Sequence, residues 1–315
     1  MRITLGLVFI LTLYHTPCYT QNLEDSLIAH YTFDSNAEDS SRNQLDGTVY
    51  QASLTNDRFL NDSSAYFFNG IDSYIDLSKN QLLKPNFPIS ISVWFMKHND
   101  EQGWIFCNNL DSINYYGVFL GFGDSNKISL HYGNGMQIGR LYSRRSIYSV
   151  QSVELAKWYH AVGIIESPEN MILYLNGKEI DVINSGTADE LAYNDGIACI
   201  GKFHNWQNQN ARYFNGIIDD FRLYNKALTK NEIEILHQEK FGFVDFSADV
   251  LQGMEPLTVN FKNESILNNS LTNYSWKWDF NDDGKIDSEE INPTWTYIER
   301  GLYSVNLMVT DSIFG

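Results

Sequence analysis

Residues 279 to 290 read D-F-N-D-D-G-K-I-D-S-E-E, and their oxygen-bearing side chains fall where a twelve-residue calcium loop needs ligands. Asp279, Asn281 and Asp283 fill the first, third and fifth positions, and Gly284 supplies the sharp turn. Lys285 offers a carbonyl, Asp287 a ligand reached directly or through water, and Glu290 the closing carboxylate. Calcium is therefore the expected cofactor. The competing reading is an exposed turn that its acids merely keep soluble.

The segments that must hold this loop are strand-like, whereas a helix-loop-helix calcium site needs amphipathic helices on both sides. Y-S-W-K-W precedes the loop and I-N-P-T-W-T-Y follows it, both rich in β-branched and aromatic residues. Further on, Tyr303, Val305, Leu307 and Val309 alternate with Ser304, Asn306, Met308 and Thr310, the period of a strand with one buried face. The run W-D-F-N-D-D-G from Trp278, N-P-T-W-T-Y from Asn292 and G-L-Y-S-V-N-L-M-V-T-D from Gly301 together resemble a PKD domain. That resemblance implies a small, non-catalytic immunoglobulin-like sandwich of the kind carried by secreted bacterial enzymes and adhesins. Many relatives have a shorter turn where this chain has its acidic loop, so calcium rests on the loop's own residues.

At the other end, Met1 and Arg2 lead into an apolar run from Ile3 to Leu13 and then to Pro17-Cys18-Tyr19-Thr20. This pattern predicts a secretion signal cleaved after Thr20. His15-Thr16-Pro17 suit a lipid-attachment box at Cys18 poorly. No later segment reaches the roughly 20 apolar residues of a membrane helix, so no membrane span is expected. The formal charge of -17 rules against nucleic acid as a partner. Beyond the leader the cysteines are Cys107 and Cys199, each in an apolar strand-like stretch. They read either as two buried thiols or as one disulfide, and no Cys/His spacing supports zinc.

Between about Leu23 and Gln238, short alternating segments are punctuated by Asn-Gly pairs starting at Asn69, Asn176 and Asn215. This is the pattern of an antiparallel sandwich. In I-S-I-S-V-W-F, Ile89, Ile91, Val93 and Phe95 share one face, while Ser90, Ser92 and Trp94 share the other. An aromatic on that second face implies that it too is covered or used. W-Y-H-A-V-G-I-I from Trp158 and M-I-L-Y-L-N-G-K from Met171 resemble paired strands of LamG-like, concanavalin A-like jelly rolls. I-A-H-Y-T-F-D from Ile28, F-F-N-G-I-D-S-Y-I-D from Phe67 and N-G-I-I-D-D-F-R-L-Y-N-K-A-L from Asn215 agree. The resemblance implies two curved sheets back to back, with the first and last strands adjacent. Thr229-Lys230-Asn231-Glu232 is a capping box that starts a short closing helix through Ile233, Ile235 and Leu236.

Asp219 shares strand parity with Phe221 and Leu223, so it is expected to point toward the core and to need a partner. The resemblance places the turn from Asp34 to Asp46 beside that last strand, where Asp39 and Asn43 offer hard oxygens and many relatives hold a structural calcium. Backbone capping by Asp219 and an Asx turn at Asp39 are the alternative. Catalysis finds no support. The carboxylate spacing of a jelly-roll glycosidase is absent, no G-x-S-x-G occurs, and His160 reads as a packed strand residue. For ligand binding, H-N-W-Q-N-Q-N-A-R sets Trp206 among Asn205, Gln207 and Arg212, a group suited to stacking on a sugar and bonding its hydroxyls. Trp104, Tyr115, Tyr116, Tyr132, Tyr142 and Tyr213 are further aromatic candidates.

The expected protein is all-β: a signal peptide over 1–20, a concanavalin A-like jelly roll over 21–240 and a PKD sandwich over 241–315. Its expected role is non-catalytic binding or adhesion outside the cell, secreted or at the cell surface, with an extracellular glycan or glycoprotein as partner. The alternatives are an accessory-module fragment of a secreted glycoside hydrolase, with further domains beyond Gly315, and a structural spacer.

Overall fold

The structure is a computed structural model, and it describes residues 23–111, 113–123, 126–203, 212–238, 244–265 and 274–311. The chain divides between His237 and Gln238 into two compact units.

Alternation along each strand builds the larger unit, because every second residue can enter one shared core. The back sheet runs in the order Lys178–Glu179, Met171–Leu175, Trp158–Ile165, Ile89–Lys97, Asn215–Tyr224, Ala65–Asn69 and Ser53–Thr55, and Leu27–Tyr31 also pairs with Asn215–Tyr224. The front sheet runs Val182–Gly186, Arg144–Ser149, Ile128–Gln137, Asn114–Phe122, Gly103–Cys107, Cys199–Ile200, Tyr74–Asp76 and Thr48–Tyr50. Both supply the central core. Ile89, Ile91, Val93 and Phe95 from the back sheet share one cluster with Val118, Leu120, Ile128 and Leu130 from the front. First and last strands are neighbours, as the resemblance implied, with Tyr31 opposite Phe221.

The outward face of the back sheet is covered by the helix Lys230–Gln238. Its start is the capping box: the Thr229 amide donates to Glu232 Oε2 at 2.8 Å, and the Glu232 amide donates to Thr229 Oγ1 at 3.3 Å. Ile233 and Leu236 pack on Val162, Ile164 and Tyr224. His237, in the last turn, stacks on Trp94 with ring centroids 5.4 Å apart. The aromatic on the sheet's second face is thus buried, at 2% exposure.

The parity expected of Asp219 is corrected here. The ladder between Asn215–Tyr224 and Ile89–Lys97 shifts register between Asp219 and Arg222, so Asp219 lies opposite Trp94 on the outward face, while Phe221 and Leu223 enter the core. Asp220 is the extra residue, with φ +50 in the left-handed region.

In the smaller unit, Phe246–Ala248, Leu257–Asn263 and Thr294–Tyr297 form one sheet, and Tyr274–Asp279 pairs with Asn306–Asp311. The core is aromatic. Val259, Phe261, Trp278, Phe280, Tyr297 and Val305 are its buried members, with Leu307 packed against them.

Candidate functional site

The acidic loop leaves the strand Tyr274–Asp279 at its buried end and is wound on its own side chains. Asp279 accepts the amides of Asn281 and Asp283 on Oδ1, at 3.2 and 3.3 Å, and that of Gly284 on Oδ2 at 2.8 Å. Asn281 Oδ1 accepts the Asp283 amide, and Asp283 Oδ1 accepts the Lys285 amide. Gly284 turns the chain at φ +79. Asp287 accepts the Phe280 amide at 2.8 Å, and Asn306 ties the loop to the neighbouring strand through Asp282. Hydrogen bonds to the Lys285 backbone and side chain hold the Asp283 carboxyl below its usual range.

Asp279, Asn281 and Asp283 therefore lie on one curl. At the far end of the loop the Glu290 carbonyl accepts Trp278 Nε1–H at 2.9 Å, and this exposed residue follows the bridge between Trp278 and Ser288. The donor set is all hard oxygen, which suits calcium in chemistry. Among the described residues, no three His, Cys, Asp or Glu side chains gather closely enough to hold a metal.

Asp39, Asn43 and Asp219 are not brought together. Asp39 is a backbone knot: Oδ1 accepts the amides of His30 and Ser41, and Oδ2 accepts Ser41 Oγ–H and the Leu45 amide, at 2.8 to 2.9 Å. Asn43 donates to the Ile28 carbonyl at 2.8 Å. Asp219 instead receives Arg58 Nη1, both side chains fully buried, and the guanidinium lies 4.2 Å over the Trp94 ring. Arg222 and His30 join the cluster through Asp220, at 3.3 and 2.8 Å. The bulge turns Asp219 away from the core and into this charge cluster. His160 is packed beside it, stacked on Trp94 and bonded to Ser92 Oγ at 2.8 Å.

The outward face of the front sheet is different, because it carries rings that reach solvent. At its base Trp104, Phe119 and Phe203 pack mutually within 5.2 Å between centroids, and His131 stacks on Phe119 at 4.7 Å. Gly121 makes room for the indole, since a Cβ there would stand 2.8 Å from the Trp104 ring. Arg144 lies 4.9 Å over Tyr115 and donates to the hydroxyls of Tyr115 and Tyr148. Toward the other edge, Tyr50 and Tyr74 stack at 4.7 Å and 9°, and Lys202 Nζ sits 4.0 Å over Tyr74 and 5.5 Å from Tyr213. Tyr50 is 43% exposed.

Of the aromatic candidates, Trp104 is buried in this layer, and Tyr115 and Tyr213 border it half-exposed. Tyr132 belongs to the central core. Arg212 pairs with Phe203 in the ribbon Lys202–Phe203 and Arg212–Tyr213, whereas Asn205, Trp206 and Gln207 lie outside the described residues. Tyr50, Tyr74 and Lys202 escaped the sequence reading. Their strands are three, three and two residues long, too short for alternation to mark a face.

A cavity of about 440 Å³ opens where the edges of the two sheets meet, lined by Tyr159, Leu175 and Ile180 with Glu154, Glu179 and Asp181 at its rim.

Among solved structures, the botulinum neurotoxin serotype C1 binding domain aligns over 82% of this chain and 67% of its own, at 17% identity and a TM-score of 0.51. The binding domain of botulinum neurotoxin DC, in complex with rat synaptotagmin II, aligns over 92% and 79%, at 15% identity and 0.51. Domain 4 of AbnA, a GH43 extracellular arabinanase from Geobacillus stearothermophilus, in complex with arabinotriose, aligns over 68% and 98%, at 22% identity and 0.48. No curated protein matches the sequence. The pattern of the concanavalin A-like lectin/glucanases superfamily matches residues 69–234, and that of the PKD domain residues 249–313. With two sheets sharing one core and a second small sandwich following in sequence, the chain belongs to the concanavalin A-like lectin/glucanase superfamily and carries a PKD domain after its jelly roll.

Proposed function

We propose that this is an exported, non-catalytic binding protein that holds an extracellular glycan or glycoprotein on the outward face of its front sheet. The observation that carries this reading is the group Tyr50, Tyr74, Tyr213 and Lys202, in which the cation lies against the Tyr74 and Tyr213 rings and the exposed Tyr50 ring stacks on Tyr74. A pyranose presents an apolar face that stacks on such rings, and its hydroxyls accept from a cation held beside them. The fold supports the reading, since neurotoxin binding domains share it and one was solved in complex with rat synaptotagmin II.

Calcium completes the proposal in the smaller domain. Asp279, Asn281, Asp283 and Asp287, which do not gather into a metal site in this structure, would have to be drawn together around the ion with the Lys285 carbonyl, and the ion would neutralise carboxylates that otherwise repel. Two experiments test these claims separately. On a glycan array, the full chain should bind a defined set of saccharides, and Tyr74→Ala with Tyr213→Ala should abolish the signal without lowering the melting temperature by more than a few degrees. Failure of the intact protein to retain any saccharide or glycoprotein sinks the glycan reading. Calorimetric titration with calcium should show a site that Asp279→Ala with Asp283→Ala removes, and no heat from the intact protein rejects the ion.

A further inference from the structure

Cys107 closes the strand Gly103–Cys107, and Cys199 opens the two-residue strand Cys199–Ile200. The two strands are antiparallel neighbours, and their register sets Cys199 directly opposite Cys107 and Ile200 opposite Phe106. Directly opposed residues in an antiparallel pair have Cα atoms about 4.5–5.5 Å apart and side chains on the same face. A disulfide spans Cα separations of about 4.4–6.8 Å, a range that includes this register, while in this structure both cysteines are free thiols and Cys199 Sγ–H donates to the Lys202 carbonyl at 3.1 Å. Both thiols lie in one buried cluster with Trp104, Phe119 and Phe203, which packs on the outward face. Asp76 is opposite Cys199 on its other side, yet no group of three His, Cys, Asp or Glu able to hold a metal forms among the described residues. A metal–thiolate reading therefore has no third ligand.

We infer that Cys107 and Cys199 are joined by a cross-strand disulfide in the protein matured in an oxidising compartment. The oxidant is a disulfide-bearing compound such as oxidised glutathione or a thiol–disulfide oxidoreductase. One protein thiolate attacks an oxidant sulfur and releases one thiol. The second protein thiolate then attacks the resulting mixed disulfide and releases the other. The two protons leave with the two released thiols, the protein loses two electrons, and the oxidant gains them. The exchange belongs to the folding chain, because both cysteines are buried in the native state and burial pushes the Cys107 thiol up to about 12. Once formed, the bond is shielded from small reductants by the same burial. It clamps the short strand Cys199–Ile200, which otherwise has only two residues with which to hold its place between Tyr74–Asp76 and Gly103–Cys107.

The test is peptide mapping of the full chain after folding against oxidised glutathione, with free thiols alkylated in denaturant and no reductant present. The expected result is one peptide pair joined through Cys107 and Cys199, lighter by two hydrogens than the separate peptides. Intact protein folded in reductant should melt at a lower temperature than the same protein folded against oxidised glutathione, whereas a Cys107→Ala, Cys199→Ala variant should melt alike after either treatment. Alkylation of both Cys107 and Cys199, or a bond from either to Cys18, overturns the inference. The mapping uses the unsubstituted chain, so its outcome stands whether or not the variant folds.

Discussion

Arg58 and Asp219 are buried charges 161 positions apart in sequence, and each is tolerable inside the protein only because the other is there. Asp220 and Trp94 share the guanidinium, so its loss would take from Asp219 its buried ion pair, while Asp220 would keep Arg222 and His30. Breaking such a pair from one side costs about 3–5 kcal/mol, because the survivor keeps its desolvation penalty without its counter-charge. Arg58→Met should therefore lower the unfolding free energy obtained from urea melts by an amount in that range, and a loss near zero would show that solvent reaches the cluster. The imidazoles beside it respond to pH. His160 lies well below its ordinary value of 6.5, mainly through burial and then through His237, with Arg58 and Arg222 also disfavouring its charge and Asp220 opposing them. His237 is lowered for the same first reason, with Arg58 again disfavouring its charge and Glu234 opposing it. Unfolded imidazoles bind protons at a higher pH than these folded ones do. The stability they confer is thus complete above 6.5 and drains away as pH falls below it toward the depressed folded values. Melting followed from about pH 7.5 to about pH 5 should show that fall, and His237→Phe, which keeps a ring on Trp94, should make it shallower.

At the scale of elements, the helix Lys230–Gln238 is a lid on the back sheet that depends on its first turn. Thr229 and Glu232 satisfy each other's amides, and Lys226 holds Glu232 at 2.8 Å, so the cap also fixes the chain that arrives from the last strand. Thr229→Ala should cost about 1 kcal/mol in a denaturant melt, with the loss concentrated in amide protection along the helix. This element was legible in sequence, since a capping box uses residues three apart and nothing from the rest of the fold. The strand faces were legible for the same reason: Ile89, Ile91, Val93 and Phe95 enter the core as their alternation requires. Asp219 was not legible. Alternation counts residues and assumes a regular ladder, whereas Asp220 is an uncounted extra residue that reverses the face before it. The partner of Asp219 was hidden for another reason, because Arg58 arrives from a loop distant in sequence and no local pattern marks it. The aromatic edge was half legible: Tyr213 stood out, but Tyr50 and Tyr74 meet only when the two short strands Thr48–Tyr50 and Tyr74–Asp76 pair.

At the scale of the molecule, the two units differ in how much core they own. The jelly roll closes two sheets over one extensive cluster, while among the described residues the PKD domain rests on six buried hydrophobic side chains and the residues packed against them. A sandwich that small buries too little apolar surface to be far from its stability limit, and natural domains of this size gain from a metal or a cross-link. Its acidic loop grows directly from the core strand that holds Trp278, and Trp278 Nε1–H is itself fixed to the Glu290 carbonyl at the loop's far end. An ion that draws Asp279, Asn281 and Asp283 together would therefore tighten the aromatic core as well as the turn. Because each unit has its own core, unfolding should occur in two transitions. Calcium at a hundred times its dissociation constant should stabilise only the PKD transition, by about 2.7 kcal/mol if it binds the folded domain alone. Differential scanning calorimetry of the full chain in calcium and in chelator reads both transitions at once. A chelator that moves the jelly-roll transition instead would place the metal in the larger domain, and a chelator that moves neither would leave the acidic loop as a turn wound on its own amides.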